Sequence, residues 1–372
     1  MSITNLKSQT LLSGFYVIYK GSTNLETKGN YGISHLTEHL MTKSLEWMMD
    51  DFDKFSISWN AYTTNDHICF YMTGLDEYVN NFKYDFIDSL SNFNISQKEF
   101  DNEKKVVLEE FKDVYNSQSQ SHQLNLMRKL FDYYNPIGLR EDLEKLTLKD
   151  VKDFMKLQYT KPHQIINVSK NNDFKAKIDF EIKIPEKTLY YGDYNNTLEL
   201  ENDYKGKSSI INISQMIRED FPYIKFATSM LGTGLKSPLY QEIREKRGLV
   251  YFVRCYLSSE TNDSGLIFIE SETSNDNVIE FQDTVKMVLD NPSKYMTKER
   301  FEIVKQSFEI QLRKNEINRY SSIGKYITPV EWQVEPILKS ITLDNVMEVY
   351  DKYFNFDTFY KSIDKDEFKL GR

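Results

Sequence analysis

"LTLKDVKDFMKLQY", residues 146–159, returns in altered form as "ITLDNVMEVYDKYF", residues 341–354. Leu146/Ile341, Thr147/Thr342, Leu148/Leu343, Val151/Val346, Phe154/Val349 and Tyr159/Phe354 fall in register, and positions 146 and 341 differ by 195, about half of the 372-residue chain. Each segment opens with a threonine able to cap a helix and then sets apolar residues at helical spacing. The offset reads as an internal duplication, and the length suits two domains. The polar stretch 184–208 is the natural place for a boundary, near residue 190. Alternating runs such as "DHICFYMTGL" (66–75) and "GLIFIESET" (265–273) predict strands, and residues 97–115 and 296–315 predict long helices. The expected fold class is therefore α+β, as two tandem, similar α/β sandwich-type domains with an antiparallel-rich sheet packed by helices, over residues 1–190 and 191–372.

Composition narrows the function. With 40% hydrophobic and 14% aromatic residues, this is a packed globular chain. A net charge of −9 argues against a nucleic-acid surface and favours basic or neutral partners. No apolar run approaches the roughly 18 residues of a membrane span, and the N-terminus has no basic segment followed by an apolar one, so a cytoplasmic protein without membrane attachment is expected. Heavy use of Asn, Lys, Ile, Tyr and Phe points to an AT-rich source genome such as that of a virus or phage. Cys69 and Cys255 each sit in an apolar, strand-like run and read as buried free thiols, which leaves His and carboxylates to hold any metal.

The chain has five histidines, and two of them share "GISHLTEHLM", residues 32–41. If Ser34 or a neighbour starts a helix at residue 35, His35 and His39 stack at i and i+4 and can reach one ion, with Glu38 flanking that face. Two His and one carboxylate form a zinc-hydrolase ligand set, and a second carboxylate is needed to take a proton from water. The third ligand must come from elsewhere. Ser96 and Glu99 form a capping box that opens a helix through about Tyr115, on which Glu103 and Glu110 share one face two turns apart. Glu110 could ligate while Glu103 orients a histidine; adjacent Glu109 is the rival ligand.

The order H-x-x-E-H followed by "NEKKVVLEEF" (102–111) resembles the inverted-motif zinc peptidases of the pitrilysin and mitochondrial-processing-peptidase family. "SWNAYTTNDHICFYM" (58–72) is similar to the family's Asn-Ala segment, and "MLGTGLKSPLYQEIREKRGLVYFV" (230–253) to its second-half signature. The resemblance implies one Zn2+ per chain on His35, His39 and Glu110, with Glu38 as general base and Glu103 in support. It implies that Asn60 and Ala61 lie on an edge strand pairing with an extended substrate, and that Arg244 and Tyr251 hold the substrate backbone. The implied activity is that of a metalloendopeptidase cleaving extended or unfolded peptides in an enclosed chamber. Family members build that chamber from four such domains, so a two-domain chain implies a homodimer or a heterodimer with a related subunit. Some relatives instead serve as catalytically inactive binding or structural subunits.

The second half has no histidine, and aligning its helix from Thr297 with that from Ser96 puts Gln311 opposite Glu110. It reads as a degenerate repeat without a metal site. Without the resemblance, Arg244 would be ordinary surface charge in a helix with Ser237 as N-cap, Pro238 at its first position and Gly248 as its stop. His67, His122 and His163 stand outside any ligand spacing.

Overall fold

The computed structural model describes residues 2–92, 94–131, 135–158, 162–176, 198–202, 207–214, 216–261 and 264–366. In chain order the first half contains β1 (Ser2–Lys7), β2 (Leu12–Lys20), α1 (Ile33–Thr42), α2 (Met49–Lys54), β3 (Ser58–Thr63), β4 (His67–Leu75), α3 (Asp76–Ser91), α4 (Gln97–Asn116), α5 (Gln118–Phe131), α6 (Arg140–Lys145), α7 (Leu148–Gln158) and β5 (Gln164–Ser169). The second contains β6 (Leu198–Asn202), β7 (Lys207–Ile213), α8 (Phe221–Gly232), β8 (Arg254–Thr261), β9 (Ser264–Ser274), α9 (Val278–Leu289), α10 (Pro292–Tyr295), α11 (Lys298–Ile317), α12 (Gly324–Ile327), α13 (Leu343–Tyr353) and β10 (Tyr360–Asp366).

Each half builds a five-stranded sheet, ordered β1-β5-β2-β4-β3 in one and β6-β10-β7-β9-β8 in the other. Counted from its own first strand, the order is the same. In both sheets the first and last strands pair in parallel, as β1 with β5 and β6 with β10, and the remaining pairings are antiparallel. The repeated helices occupy equivalent places, α7 before β5 and α13 before β10. The expected α+β architecture of two similar domains is the one observed.

Two compact units emerge. The first takes Met1–Val114, Tyr134–Thr188 and Lys314–Gly324, the second Tyr115–Tyr133, Leu189–Arg313 and Lys325–Arg372. The boundary expected near residue 190 falls within 177–197, outside the described residues. The units also differ from a simple cut of the chain, because each recruits a segment from the other half, and packing explains both. In the second unit, Leu126, Met127 and Leu130 of α5 cluster with Ile211, Ile213, Leu266 and Phe268. Buried His122 of α5 sits between Ser209 Oγ (2.9 Å) and Ser362 Oγ (2.7 Å) of two adjacent strands. In the first unit, the Tyr320 carbonyl accepts from Tyr16 Oη at 2.5 Å and lies where a side chain on Gly14 would project, 2.1 Å from an added Cβ. Among the described residues no helix is long and apolar enough to cross a membrane.

β2 owes its central place to "LSGFYVIYK", whose interior is buried throughout. A central strand is covered on both faces and so is apolar at successive positions. β3 alternates exposed and half-buried residues and ends the sheet, with one edge unpaired by any strand among the described residues.

Candidate metal centre

The loop before α1 aims the motif. Gly32 occupies the N-cap position with φ of +97°, and α1 begins at Ile33 rather than at residue 35. Ser34 does not cap the helix, since its Oγ is buried without a hydrogen-bond partner. Buried Glu26 does so instead, accepting from the amides of Gly32 (3.1 Å) and Ser34 (2.9 Å). A carboxylate suits the exposed amides and positive dipole end of a helix start. Asp142 Oδ2 takes the Gly29 and Tyr31 amides at 3.1 Å each, and Gly138 packs so closely on Gly32 that a Cβ added to it would lie 2.4 Å from the Gly32 Cα.

α4 opens with the expected capping box. The Glu99 amide donates to Ser96 Oγ at 3.2 Å, and the Ser96 amide to Glu99 Oε2 at 2.7 Å. Its face brings Glu110 to the histidines: Oε2 lies 3.5 Å from His35 Nε2 and 3.6 Å from His39 Nε2. The two imidazoles meet edge to face with centroids 4.7 Å apart. Glu109 points elsewhere and pairs with Lys112 at 2.5 Å. Two turns before Glu110, Glu103 sets Oε2 3.3 Å from His39 Nδ1 and Oε1 2.9 Å from Lys43 Nζ. That lysine has its pKa raised, first by its hydrogen bond to Glu103.

This donor set fits a zinc ion. One ligand atom from each of His35, His39 and Glu110 lies within 4.8 Å of the others. Two ligands about 2.0–2.2 Å from a tetrahedral ion stand roughly 3.3–3.6 Å apart, the separations seen from Glu110 to each histidine. Burial, and then the neighbouring His39, lower the His35 pKa to about 4. The ring is therefore neutral near pH 7, with a lone pair to offer.

Glu38 stands beside these groups in a cleft of about 600 Å³ that also presents Trp59, Asn60, Ala61, Tyr62, Thr63 and Ile137. Burial raises its pKa, opposed by a hydrogen bond from Thr63 Oγ1 to Oε2 at 2.6 Å. A desolvated carboxylate beside a possible ion is what proton transfer to and from water requires.

The family profile "Insulinase (Peptidase family M16)" matches residues 7–137, and "Peptidase M16 inactive domain" matches residues 210–308. The chain belongs to the M16 peptidase family. A Rickettsia felis protein named "uncharacterized zinc protease" is 25% identical over 375 residues, covering 91% of this chain and 89% of the relative. The Bacillus subtilis "uncharacterized zinc protease YmxG" is 26% identical over 292 residues, 71% and 69% of the two chains. The solved structure of a Helicobacter pylori protease superposes with a TM-score of 0.85 at 19% identity, covering 98% and 96%, which speaks to a shared fold.

In this M16 chain the other sequence-predicted residues fall into two places. Asn60 and Ala61 lie on edge strand β3 and line the cleft, with the Ala61 amide donating to Asn60 Oδ1 at 2.8 Å. Arg244 and Tyr251 form a cluster in the second unit, where the guanidinium stacks 5.0 Å from the Tyr251 ring and 4.9 Å from that of Tyr240. Tyr251 is 80% exposed and free to touch a ligand. Arg244 lies in a π-helical stretch, Tyr240–Glu245, whose C-cap is Lys246 rather than the expected Gly248, which follows in a turn with φ of +65°. Ser237 precedes the helix, but its Oγ is buried without a hydrogen-bond partner and caps nothing.

Sequence reasoning missed Glu26, Lys43 and Thr63. Lys43 was discoverable, because it stands four residues after His39 on the same helix face. Thr63 carried a weaker signal, the period-two alternation that puts it on one strand face with Ala61. Glu26 had none, since its reach depends on the loop's path.

Proposed function

We propose that this chain is a zinc metalloendopeptidase whose chemistry lies in its first half. The observation that carries the reading is the meeting of His35, His39 and Glu110 beside the buried carboxylate of Glu38. Zinc, when bound, supplies a Lewis acid that acidifies water and polarises a carbonyl. Glu38 takes the proton of the attacking water and hands it to the leaving amine. Glu103 keeps the His39 ring turned with Nε2 toward the ion. The open edge of β3 at Asn60 and Ala61 receives an extended peptide as an added strand.

The second half serves as a degenerate wall, consistent with its match to an inactive domain and its lack of histidine. A second copy or a related subunit would bring Arg244 and Tyr251 to the substrate backbone. The net charge of −9 favours basic peptides, so Lys/Arg-rich peptides should be cleaved faster than Asp/Glu-rich ones.

The deciding experiment measures zinc per chain and peptide cleavage for the parent, His39→Ala and Glu38→Gln. About one zinc in the parent, none in His39→Ala, and retained zinc without cleavage in Glu38→Gln are expected. A parent that takes up no zinc when it is supplied would overturn the reading in favour of a non-catalytic binding subunit.

A further inference from the structure

The Thr63 hydroxyl is the one described hydrogen-bond donor to the Glu38 side chain, and it sits where the backbone gives it little freedom. Thr63 closes β3, paired with Ile68 of β4. Immediately beyond it the hairpin is tied down by two bonds from the preceding loop and one of its own. Ser22 Oγ donates to the Thr64 carbonyl at 2.5 Å, the Gly21 amide to the Asp66 carbonyl at 2.6 Å, and the Thr64 amide to the His67 carbonyl at 2.8 Å. A β-branched side chain on such a backbone has few rotamers to choose from.

Glu38 is the opposite case. Three rotatable bonds leave its carboxylate free to swing unless something holds it, and a short hydrogen bond to a carboxylate is among the stronger single contacts available. The bond occupies Oε2, while Oε1 makes no hydrogen bond among the described residues, on a side chain that lines the cleft.

We propose that Thr63 is a positioning residue for Glu38: its hydroxyl fixes the rotamer of the base and reserves Oε1 for the proton of water. The proposal rests on the peptidase reading above. The same strand then has two duties, since its outer edge at Asn60 and Ala61 would seat the peptide while its last side chain holds the base. A peptide docked on β3 is thereby placed on the element that carries the reference point for the proton acceptor.

The test compares Thr63→Val, which keeps the β-branched shape without the hydroxyl, and Thr63→Ser, which keeps the hydroxyl. Four quantities are measured on each full-length protein: zinc content, affinity of the metal-free protein for a labelled peptide, KM and kcat. Thr63→Val should keep its zinc, peptide affinity and KM while kcat drops by about 100-fold, the scale of a small misplacement of a reacting group. Thr63→Ser should recover most of that loss. Parental kcat in Thr63→Val, a loss lying in KM, or no recovery with Ser would each overturn the proposal. If Thr63→Val does not fold, Thr63→Ala is put through the same comparison. A zinc-loaded parent that cleaves no peptide brings down the peptidase reading and this inference with it, whereas an active parent matched by Thr63→Val brings down the inference alone.

Discussion

Glu103 Oε2 lies 3.3 Å from His39 Nδ1. A carboxylate there favours the tautomer with the proton on Nδ1 and leaves the Nε2 lone pair facing Glu110. Lys43 on the other oxygen of Glu103 offsets its charge, so the carboxylate can act on the ring without becoming a competing ligand. Glu103→Gln should weaken zinc binding by about 10–100-fold, read by competition with a chromogenic chelator. Parental affinity would remove the orienting role.

Adjacent glutamates should separate cleanly. Glu110→Gln is expected to release zinc on dialysis, because its oxygen is the carboxylate within reach of both histidines. Glu109→Gln should keep one zinc per chain, since that side chain is 70% exposed and pairs with Lys112. Loss of zinc from Glu109→Gln would reverse the assignment.

Glu26→Ala should reduce stability by about 1–3 kcal/mol, the usual cost of stripping a partner from buried donors. Two amides at the start of α1 lose their acceptor. Urea unfolding of the metal-free protein measures the loss directly. A midpoint unchanged from the parent would mean that water replaces the carboxylate without cost.

His122 makes stability depend on pH. Burial lowers its pKa to about 3 from an ordinary 6.5. Between those values the unfolded chain holds a proton that the folded one does not, so stability is full above pH 6.5 and declines as pH falls, by up to about 1.4 kcal/mol per unit. The decline continues until the folded state itself takes up the proton near pH 3. His122→Gln is expected to melt lower at pH 7 but to lose less on acidification to pH 5. Parallel pH profiles for the two proteins would show that His122 contributes nothing to the slope.

Much of this was legible from the chain because the relevant signals were local. The helix of α4 follows from Ser96 and Glu99, and the duplication follows from apolar residues repeated at one offset and realised as two sheets of the same strand order. His35, Glu38 and His39 are brought together by helical spacing alone. What escaped depends on distant partners. The bond from Thr63 to Glu38 needs the packing of β3 on α1, and Glu26 reaches α1 through a loop whose turns its residues do not advertise. α5 has an apolar face in sequence, but nothing in that face says which sheet it will cover.

The shared segments bear on how the chain is made. When the first 190 residues have left the ribosome, the first unit still lacks Lys314–Gly324, whose Tyr320 carbonyl occupies the space above Gly14 and satisfies Tyr16. α5 has by then been synthesised with no sheet of its own to cover, its apolar side awaiting β7, β9 and β10. Neither unit can reach its final packing until most of the other has emerged. A fragment cut at the middle of the chain should therefore be prone to aggregate, and chaperones would have their longest task during synthesis of the second half.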